Sequence, residues 1–274
     1  MDIVRLGKMN SKNNMEENTS HTKRNIGVVI DTENPAERAG IVLENWLEHA
    51  QHTPLLFLVS GGSSLEVVQN ISPELLGSHV TIGVLDERFS TDPSVNNYMQ
   101  LQETRFAEYA TDAGVSWIGS VPREGESLGV CAARLDATLK GWREENPTGL
   151  VIALMGMGSD GHTAGIFPYP ENEAEEYAAL FEQSEWYIGH DVGDKHEYTL
   201  RMTVTNTFLK YEVDQALMYV SGDSKREMLA QVLDMYGARH EAPARIIHDM
   251  RNVTIVTNIG VEEGEDVSLV VNNE

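Results

Sequence analysis

The sequence predicts an α/β protein built on a doubly wound, mostly parallel β-sheet with helices on both faces. From Asn25 onward, short apolar runs alternate with longer segments of helical period, which is the pattern of a sheet covered by helices. Runs such as residues 55–59 and 150–155 are apolar at every position, as buried parallel strands are. With 274 residues and 41% hydrophobic content, the chain can bury the core of one such domain, to which we assign residues 25–274.

Each apolar run is predicted to be a strand, and each segment of helical period a helix. The predicted strands are residues 27–30, 55–59, 80–85, 115–118, 150–155, 185–189, 216–220 and 253–257. The predicted helices are residues 36–49, 63–70, 97–110, 128–144 and 225–235, with a shorter one after Thr205. Ligands of such folds bind beyond the carboxyl ends of the strands, so the residues that follow each run are the candidates for chemistry.

The first 24 residues are polar and show neither helical nor strand periodicity, so we expect residues 1–24 to form a disordered tail. They contain no apolar run that could act as a signal sequence or cross a bilayer, and the single Cys131 cannot form an intrachain disulfide. These features favour a cytoplasmic protein without a membrane partner.

The formal net charge of −23 comes from 20 basic and 43 acidic residues. Such a field repels nucleic acid at long range, so we expect no nucleic-acid partner. Two explanations of the acidic excess stay open. One is solubility, and the other is a saline cytoplasm in which salt screens the self-repulsion.

A Gly- and Ser-rich turn, Ser60-Gly61-Gly62-Ser63, follows the apolar run 55–59 and leads into a predicted helix. Glycines let the backbone approach a ligand closely, and serine hydroxyls add hydrogen-bond donors, so the turn is a candidate phosphate cradle. It is not a nucleotide P-loop, because no Gly-Lys-Ser/Thr follows at the required spacing. An ordinary strand-to-helix turn with a serine cap explains the same residues.

A second polar group, Asp86-Glu87-Arg88, ends the predicted strand 80–85, and Asn97 follows it closely. Carboxylates can orient sugar hydroxyls, and a guanidinium can stabilise a developing oxyanion. A solvated turn with a local ion pair is the simpler explanation of this triplet taken alone.

The strongest motif follows the most apolar run and spans Gly156 to His162. Its three glycines predict a tight turn that presents Asp160 and His162 on one side of a loop. Because an imidazole titrates near neutrality, a positioned histidine can take a proton from water, and His162 is the candidate general base.

These motifs, in this order, resemble those of the 6-phosphogluconolactonase family, which shares its fold with the glucosamine-6-phosphate deaminases. The family motifs match Ser60 to Ser63, Asp86 to Arg88 and Gly156 to Thr163, and its two later basic positions match Arg201 and Lys225. The chain departs from the family at Ser159, where a proline is usual, and the match is poor beyond Ala242, which leaves the role of Arg245 open.

The resemblance implies hydrolysis of 6-phospho-D-glucono-1,5-lactone to 6-phospho-D-gluconate, a step of the oxidative pentose phosphate pathway, without metal or organic cofactor. It implies catalytic roles for His162 as base, Asp160 as its partner and Arg88 as oxyanion stabiliser. The implied substrate-binding residues are Ser60, Gly61, Gly62, Ser63, Asp86, Glu87, Asn97, Thr163, Arg201 and Lys225. The partner implied is a phosphorylated sugar lactone.

Two other functions compete with this interpretation. A glucosamine-6-phosphate deaminase or isomerase uses the same fold, but that branch places a carboxylate shortly after the histidine, where this chain has Phe167. A non-catalytic sugar-phosphate-binding protein would need the phosphate-binding groups but not a base. The remaining histidines, including His190, His196, His240 and His248, lack metal-ligand spacing and are interpreted as surface or packing residues.

Overall fold

The computed structural model describes residues 25–261 and 267–270. The disordered tail predicted for residues 1–24 lies outside the described residues. Of the described helices, none combines the length and hydropathy that crossing a bilayer requires.

Eleven strands lie in the described part of the chain. They are β1 (Asn25–Ile30), β2 (Leu55–Val59), β3 (Val80–Val84), β4 (Asp86–Arg88), β5 (Ser116–Trp117), β6 (Leu150–Gly156), β7 (Tyr187–Asp191), β8 (Leu200–Val204), β9 (Gln215–Val220), β10 (Asn252–Thr257) and β11 (Val267–Val270).

The same residues include eight α-helices. They are α1 (Pro35–Ala50), α2 (Ser64–Val68), α3 (Asn97–Gln102), α4 (Arg105–Asp112), α5 (Leu128–Glu145), α6 (Ala174–Phe181), α7 (Asn206–Tyr211) and α8 (Arg226–Leu233).

Eight of the strands form one parallel sheet in the order β11-β1-β10-β9-β6-β2-β3-β5. From β2 the chain moves outward to β3 and β5, and it then returns to place β6 against the other edge of β2. The order of the strands therefore reverses between β2 and β6. Ligands of open α/β sheets bind in the crevice at such a reversal.

Alternating side chains of the parallel strands pack into two separate hydrophobic cores, one on each face of the sheet. On β2, Leu56 and Leu58 pack into the core that includes α5, α7 and α8, whereas Leu55, Phe57 and Val59 pack into the core that includes α1, α2 and α4. Because successive side chains of a strand point to opposite faces, a strand that is apolar throughout is buried on both. The predicted fold class is confirmed.

A second, three-stranded antiparallel sheet has the order β4-β8-β7. The sequence analysis did not predict β4 or β8, and the strand predicted at 185–189 lies in this sheet rather than in the parallel one. In the ladder, Arg201 is paired with Arg88 on one side and with His190 on the other. Directly opposed residues share a face of the sheet, so the three side chains form one row.

The single helix predicted over residues 97–110 is wrong, because the chain breaks there into α3 and α4. Thr104 adopts an extended conformation, and its hydroxyl accepts a hydrogen bond from the backbone N–H of Ala107. It is therefore the N-cap of a new helix. The short helix α6 was not predicted either.

Candidate active site

A cleft of about 250 Å³ opens at the carboxyl edge of the parallel sheet, above β2 and β6. The loops after β2, β6 and β9 form one side, and the antiparallel sheet forms another. Most of the predicted site residues line this cleft, namely Ser60, Gly61, Gly62, Ser63, Asp86, Arg88, Asn97, His162, Arg201 and Lys225.

His162 and Asp160 form a hydrogen-bonded pair beside the cleft. His162 Nδ1 lies 2.6 Å from Asp160 Oδ1, and the backbone N–H of His162 donates to the same oxygen at 3.1 Å. Burial by itself would raise the pKa of Asp160, but the hydrogen bonds and charge of His162 outweigh it and lower that pKa. The carboxylate is thus ionised at neutral pH, so Nδ1 carries the proton and Nε2 is left as the basic nitrogen.

The backbone beneath this pair has room only for glycine. A Cβ atom on Gly158 would overlap the His162 ring and the Asp160 carboxylate. A side chain at position 158 would have to push the pair apart, because the overlapping atoms are held by their own hydrogen bond. The glycine requirement therefore follows from close approach to the His162–Asp160 pair.

Phe167 holds the His162 ring from the other direction. The two rings are stacked with their centroids 4.8 Å apart, and the guanidinium carbon of Arg201 lies 5.3 Å from the centroid of Phe167. Such aromatic and cation–π contacts restrict the orientation of both polar groups. Phe167 thus links the loop after β6 to the antiparallel sheet.

Arg88 and Arg201 place two guanidiniums side by side at the cleft. Arg88 Nη1 donates to Val95 O at 2.7 Å, and Arg201 Nε donates to Tyr198 O at 3.0 Å. Arg88 Nε and Arg201 Nη2 are buried and have no hydrogen-bond partner among the described residues. Burial lowers the pKa of Arg201, Asp86 opposes that shift and Arg88 adds to it. Two guanidinium groups that line one cleft favour an anionic ligand there.

The Gly- and Ser-rich turn after β2 is the second polar surface of the cleft. The hydroxyl of Ser60 is buried and, in the described part of the chain, makes no hydrogen bond. A Cβ on Gly61 would collide with the Asn97 amide, so the turn packs directly against that side chain. Lys225 enters from the loop after β9, and burial lowers its pKa. The turn and Lys225 thus offer hydroxyl, backbone and ammonium groups to a bound anion.

Asn97 and Asp86 are connected to each other at the cleft wall. Asn97 Nδ2 donates to Asp86 O at 2.9 Å and to Asp86 Oδ2 at 3.3 Å, while Asn97 Oδ1 has no partner among the described residues. Because the amide also packs directly against Gly61, Asn97 joins the Gly- and Ser-rich turn to the strand that carries Asp86.

Glu87 was predicted to bind substrate, but the structure places it away from the cleft. Its side chain is fully buried and accepts hydrogen bonds from the backbone N–H groups of Arg88, Asn97 and Tyr98 and from the hydroxyl of Ser120. Strand alternation explains the difference, because successive side chains of β4 point to opposite faces. Burial raises the pKa of Glu87 to about 7, against the effect of these four donors.

Thr163 was also predicted to bind substrate, and it too is buried outside the cleft. Its hydroxyl donates to Gly156 O at 2.7 Å, and its backbone pairs with Ile166. The next residue, Ala164, has a φ of 46°, and its carbonyl accepts a hydrogen bond from the Thr203 hydroxyl. Since a left-handed alanine is strained, these bonds hold the loop that carries His162 in its shape.

The structure also shows where His196, His190 and Arg245 lie. His196, which we interpreted as a surface or packing residue, lines the cleft. His190 is buried, with neither ring nitrogen bonded in the described part of the chain, and burial lowers its pKa to about 4. Arg245 is a structural residue outside the cleft, because it donates to the carbonyls of Gln231 and Asp234. No sequence signal pointed to His196, since the antiparallel sheet that positions it was not predicted.

Within the described residues, no group of three or more His, Cys, Asp and Glu side chains is arranged to hold a metal ion.

The sequence profile of the family described as glucosamine-6-phosphate isomerases/6-phosphogluconolactonase matches residues 31–256 of this chain. The chain belongs to this family. The match spans the loops after β2, β6 and β9 and the strand β8, so it covers every part of the cleft.

Curated relatives and solved structures agree with this assignment. The chain is 27% and 28% identical to the 6-phosphogluconolactonases of two strains of Xylella fastidiosa, over 83% of its length and 93% of theirs in both cases. A 6-phosphogluconolactonase structure from Shewanella baltica superposes with a TM-score of 0.66 at 18% identity, covering 86% of this chain and 97% of that one. The structure from Trypanosoma brucei gives 0.65 at 18% identity, with 86% and 96% coverage. The last two similarities show a shared fold.

Proposed function

We propose that the protein is a 6-phosphogluconolactonase, which hydrolyses 6-phospho-D-glucono-1,5-lactone to 6-phospho-D-gluconate. The observation that carries the proposal is the hydrogen-bonded His162–Asp160 pair, of which His162 lines a cleft that is also lined by Arg88 and Arg201. The base and the cations match the two requirements of ester hydrolysis, which are an activated water and a stabilised oxyanion.

In the first step, His162 Nε2 takes a proton from a water molecule while the water oxygen attacks the lactone carbonyl carbon. Asp160 stabilises the imidazolium that forms, because its ionised carboxylate accepts the hydrogen bond from Nδ1. The carbonyl oxygen becomes an oxyanion, to which the guanidinium of Arg88, a residue that lines the cleft, donates a hydrogen bond.

In the second step, the tetrahedral intermediate collapses and the bond between the carbonyl carbon and the ring oxygen breaks. The imidazolium of His162 returns its proton to the ring oxygen, which leaves as a hydroxyl group. The new carboxylic acid loses its proton to solvent, so the products are an open-chain carboxylate and a regenerated neutral histidine.

The phosphate is the part of the substrate that does not react, and it positions the carbonyl. We assign it to the turn Ser60 to Ser63, with Lys225 and Arg201 supplying charge. Fixing one end of the lactone in this way converts the attack of water into a step with few remaining degrees of freedom.

Phe167 argues against the isomerase branch of the family. That chemistry is expected to need a carboxylate shortly after the histidine, whereas the Phe167 ring is stacked on His162 and transfers no proton. Asp86 is the carboxylate that lines the cleft in the described part of the chain, and it is hydrogen-bonded to Asn97.

The test is an assay of the purified full chain with freshly generated 6-phosphogluconolactone at pH 6.5, in which acid release is followed against the spontaneous rate. We expect clear acceleration over the buffer blank. Ammonia release from glucosamine 6-phosphate, with no acceleration of lactone hydrolysis, would establish the deaminase instead. Binding of 6-phosphogluconate without turnover of either substrate would establish a binding protein.

A further inference from the structure

The loop between β7 and β8, residues 192–199, brings His196 to the cleft. The loop is closed by the hydrogen bond from Val192 N to Thr199 O at 2.8 Å, and Lys195 Nζ lies 3.5 Å from the centre of the Tyr169 ring. The His196 ring lies 5.8 Å from that of Phe167, which is stacked on His162. An anchored loop therefore holds a second imidazole close to the catalytic one.

The hydrogen bond that His196 makes determines which of its nitrogens carries the proton. The backbone N–H of Tyr198 donates to His196 Nδ1 at 3.1 Å. Since Nδ1 accepts a hydrogen bond, the proton of the neutral ring is on Nε2. His162 has the opposite tautomer, because its Nδ1 donates to Asp160. The two imidazoles thus present a base and a donor.

Burial and the neighbouring arginines favour the neutral form of His196. Burial lowers its pKa, and the positive charges of Arg201 and Arg88 lower it further, while Glu197 opposes the shift. A neutral N–H donor suits an uncharged oxygen, whereas phosphate is better matched by the guanidinium and ammonium groups already in the cleft.

We propose that His196 is a substrate-contacting residue whose Nε2–H donates a hydrogen bond to a hydroxyl oxygen of the sugar, so that it selects polyhydroxylated lactones. The proposal rests on the proposed lactonase function, which it deepens by naming a residue for the hydroxylated part of the substrate. In this proposal His196 contacts the sugar hydroxyls, while other residues contact the phosphate and the carbonyl.

Three substitutions at this position separate recognition from loop anchoring. His196→Gln keeps an N–H donor near the place of Nε2, His196→Asn keeps an acceptor near the place of Nδ1, and His196→Ala removes both. We expect His196→Ala and His196→Asn to raise KM for the lactone by roughly three- to tenfold, as loss of one neutral hydrogen bond does, with kcat within about twofold. His196→Gln should stay within about twofold of the wild-type KM.

The opposite pattern would overturn the proposal. If His196→Asn restores wild-type KM and His196→Gln does not, the histidine only anchors its loop through Tyr198. Wild-type KM for all three variants would show that the ring does not touch substrate. His52→Ala is the matched control, because His52 is exposed and precedes β2, at the edge of the sheet opposite the cleft.

Calorimetric titration with 6-phosphogluconate separates this proposal from the proposed function. The product carries the same sugar hydroxyls as the lactone and needs no turnover, so its Kd should rise by roughly three- to tenfold in His196→Ala and His196→Asn. A wild-type protein without lactonase activity refutes the proposed function. An active wild type whose His196→Ala variant binds 6-phosphogluconate with unchanged Kd refutes only the role of His196.

Discussion

The two sheets contribute different chemistry to the same cleft. The parallel sheet supplies tight glycine-containing loops, which present serine hydroxyls, Lys225 and the proposed base His162 at its carboxyl edge. The antiparallel sheet supplies Arg88 and Arg201 on opposed strands, with His196 on the loop that joins β7 to β8. The base and the guanidiniums therefore lie on separate scaffolds.

Because His162 and the two arginines lie on different sheets, their relative positions depend on contacts between those sheets. The Thr203 hydroxyl of β8 donates to the carbonyl of Ala164, and Arg201 lies over the ring of Phe167. Both contacts join the antiparallel sheet to the loop that carries His162. Substitution of the proposed base should therefore lower kcat, whereas substitution of the cations proposed to bind phosphate, Lys225 on one sheet and Arg201 on the other, should raise KM.

Removing the base should have the largest effect. We expect His162→Ala to lower kcat by roughly a hundredfold or more and to leave KM within a few-fold, because the groups proposed to bind phosphate are untouched. Steady-state lactone hydrolysis measures both constants, with His52→Ala as the control. Wild-type kcat in His162→Ala would rule out this base, and Asp86, the carboxylate that lines the cleft in the described part of the chain, would be tested next.

Removing a cation that we propose to bind phosphate should raise KM rather than lower kcat. Arg201→Ala and Lys225→Ala should each raise KM by about tenfold to a hundredfold and change kcat less, since each deletes a charge-assisted contact to a group that does not react. Arg226→Ala is the matched control, because Arg226 follows Lys225 but pairs with Asp223 and does not line the cleft. A fall in kcat as large as that of His162→Ala would place the lost cation at the reacting carbonyl instead.

Glu87 should make the stability of the antiparallel sheet depend on pH. Its pKa is raised by burial from an ordinary 4.5 to about 7, so the folded state binds the proton more tightly than the unfolded state. The stabilisation is complete below pH 4.5 and is lost as pH rises to about 7, by at most roughly 1.4 kcal/mol per pH unit. Urea unfolding between pH 5 and 8 should show a fall in stability for wild type relative to Glu87→Gln.

His190 acts in the opposite sense and must be separated from Glu87. Burial lowers its pKa from 6.5 to about 4, so its contribution is complete above pH 6.5 and is lost as pH falls towards 4. Comparing the wild type with Glu87→Gln at each pH cancels the contribution of His190. An identical pH dependence of the two proteins would mean that Glu87 is ionised in both states throughout this range.

Added salt should have the smallest effect. The total charge of −23 repels an anionic lactone, whereas Arg88, Arg201 and Lys225 attract it once it reaches the cleft. If the long-range field dominates encounter, KM should fall by a few-fold as salt rises from its lowest value, before competition at the cleft raises it again. A KM that rises from the lowest salt onward would show that the cationic cleft dominates. Titration of potassium chloride in the lactonase assay decides between them.

The sequence by itself was sufficient for seven of the eight strands of the parallel sheet, all except β11, and for the loops at its carboxyl edge. Strands such as β2 and β6 are apolar at every position, and each reactive loop follows its strand directly, so local pattern places Ser60 and His162 at one edge. The pairing of Asp160 with His162 could also be predicted from local sequence, because the two residues lie in one tight turn.

Only the tertiary structure decided what the antiparallel sheet does. β4 has three residues and pairs with a strand more than 100 positions later in the chain, so no local periodicity reveals it. That pairing directs Glu87 into the interior, brings Arg88 and Arg201 together, and carries His196 to the cleft. The physical reason is that strand register is set by long-range hydrogen bonding and burial, which a single sequence does not record.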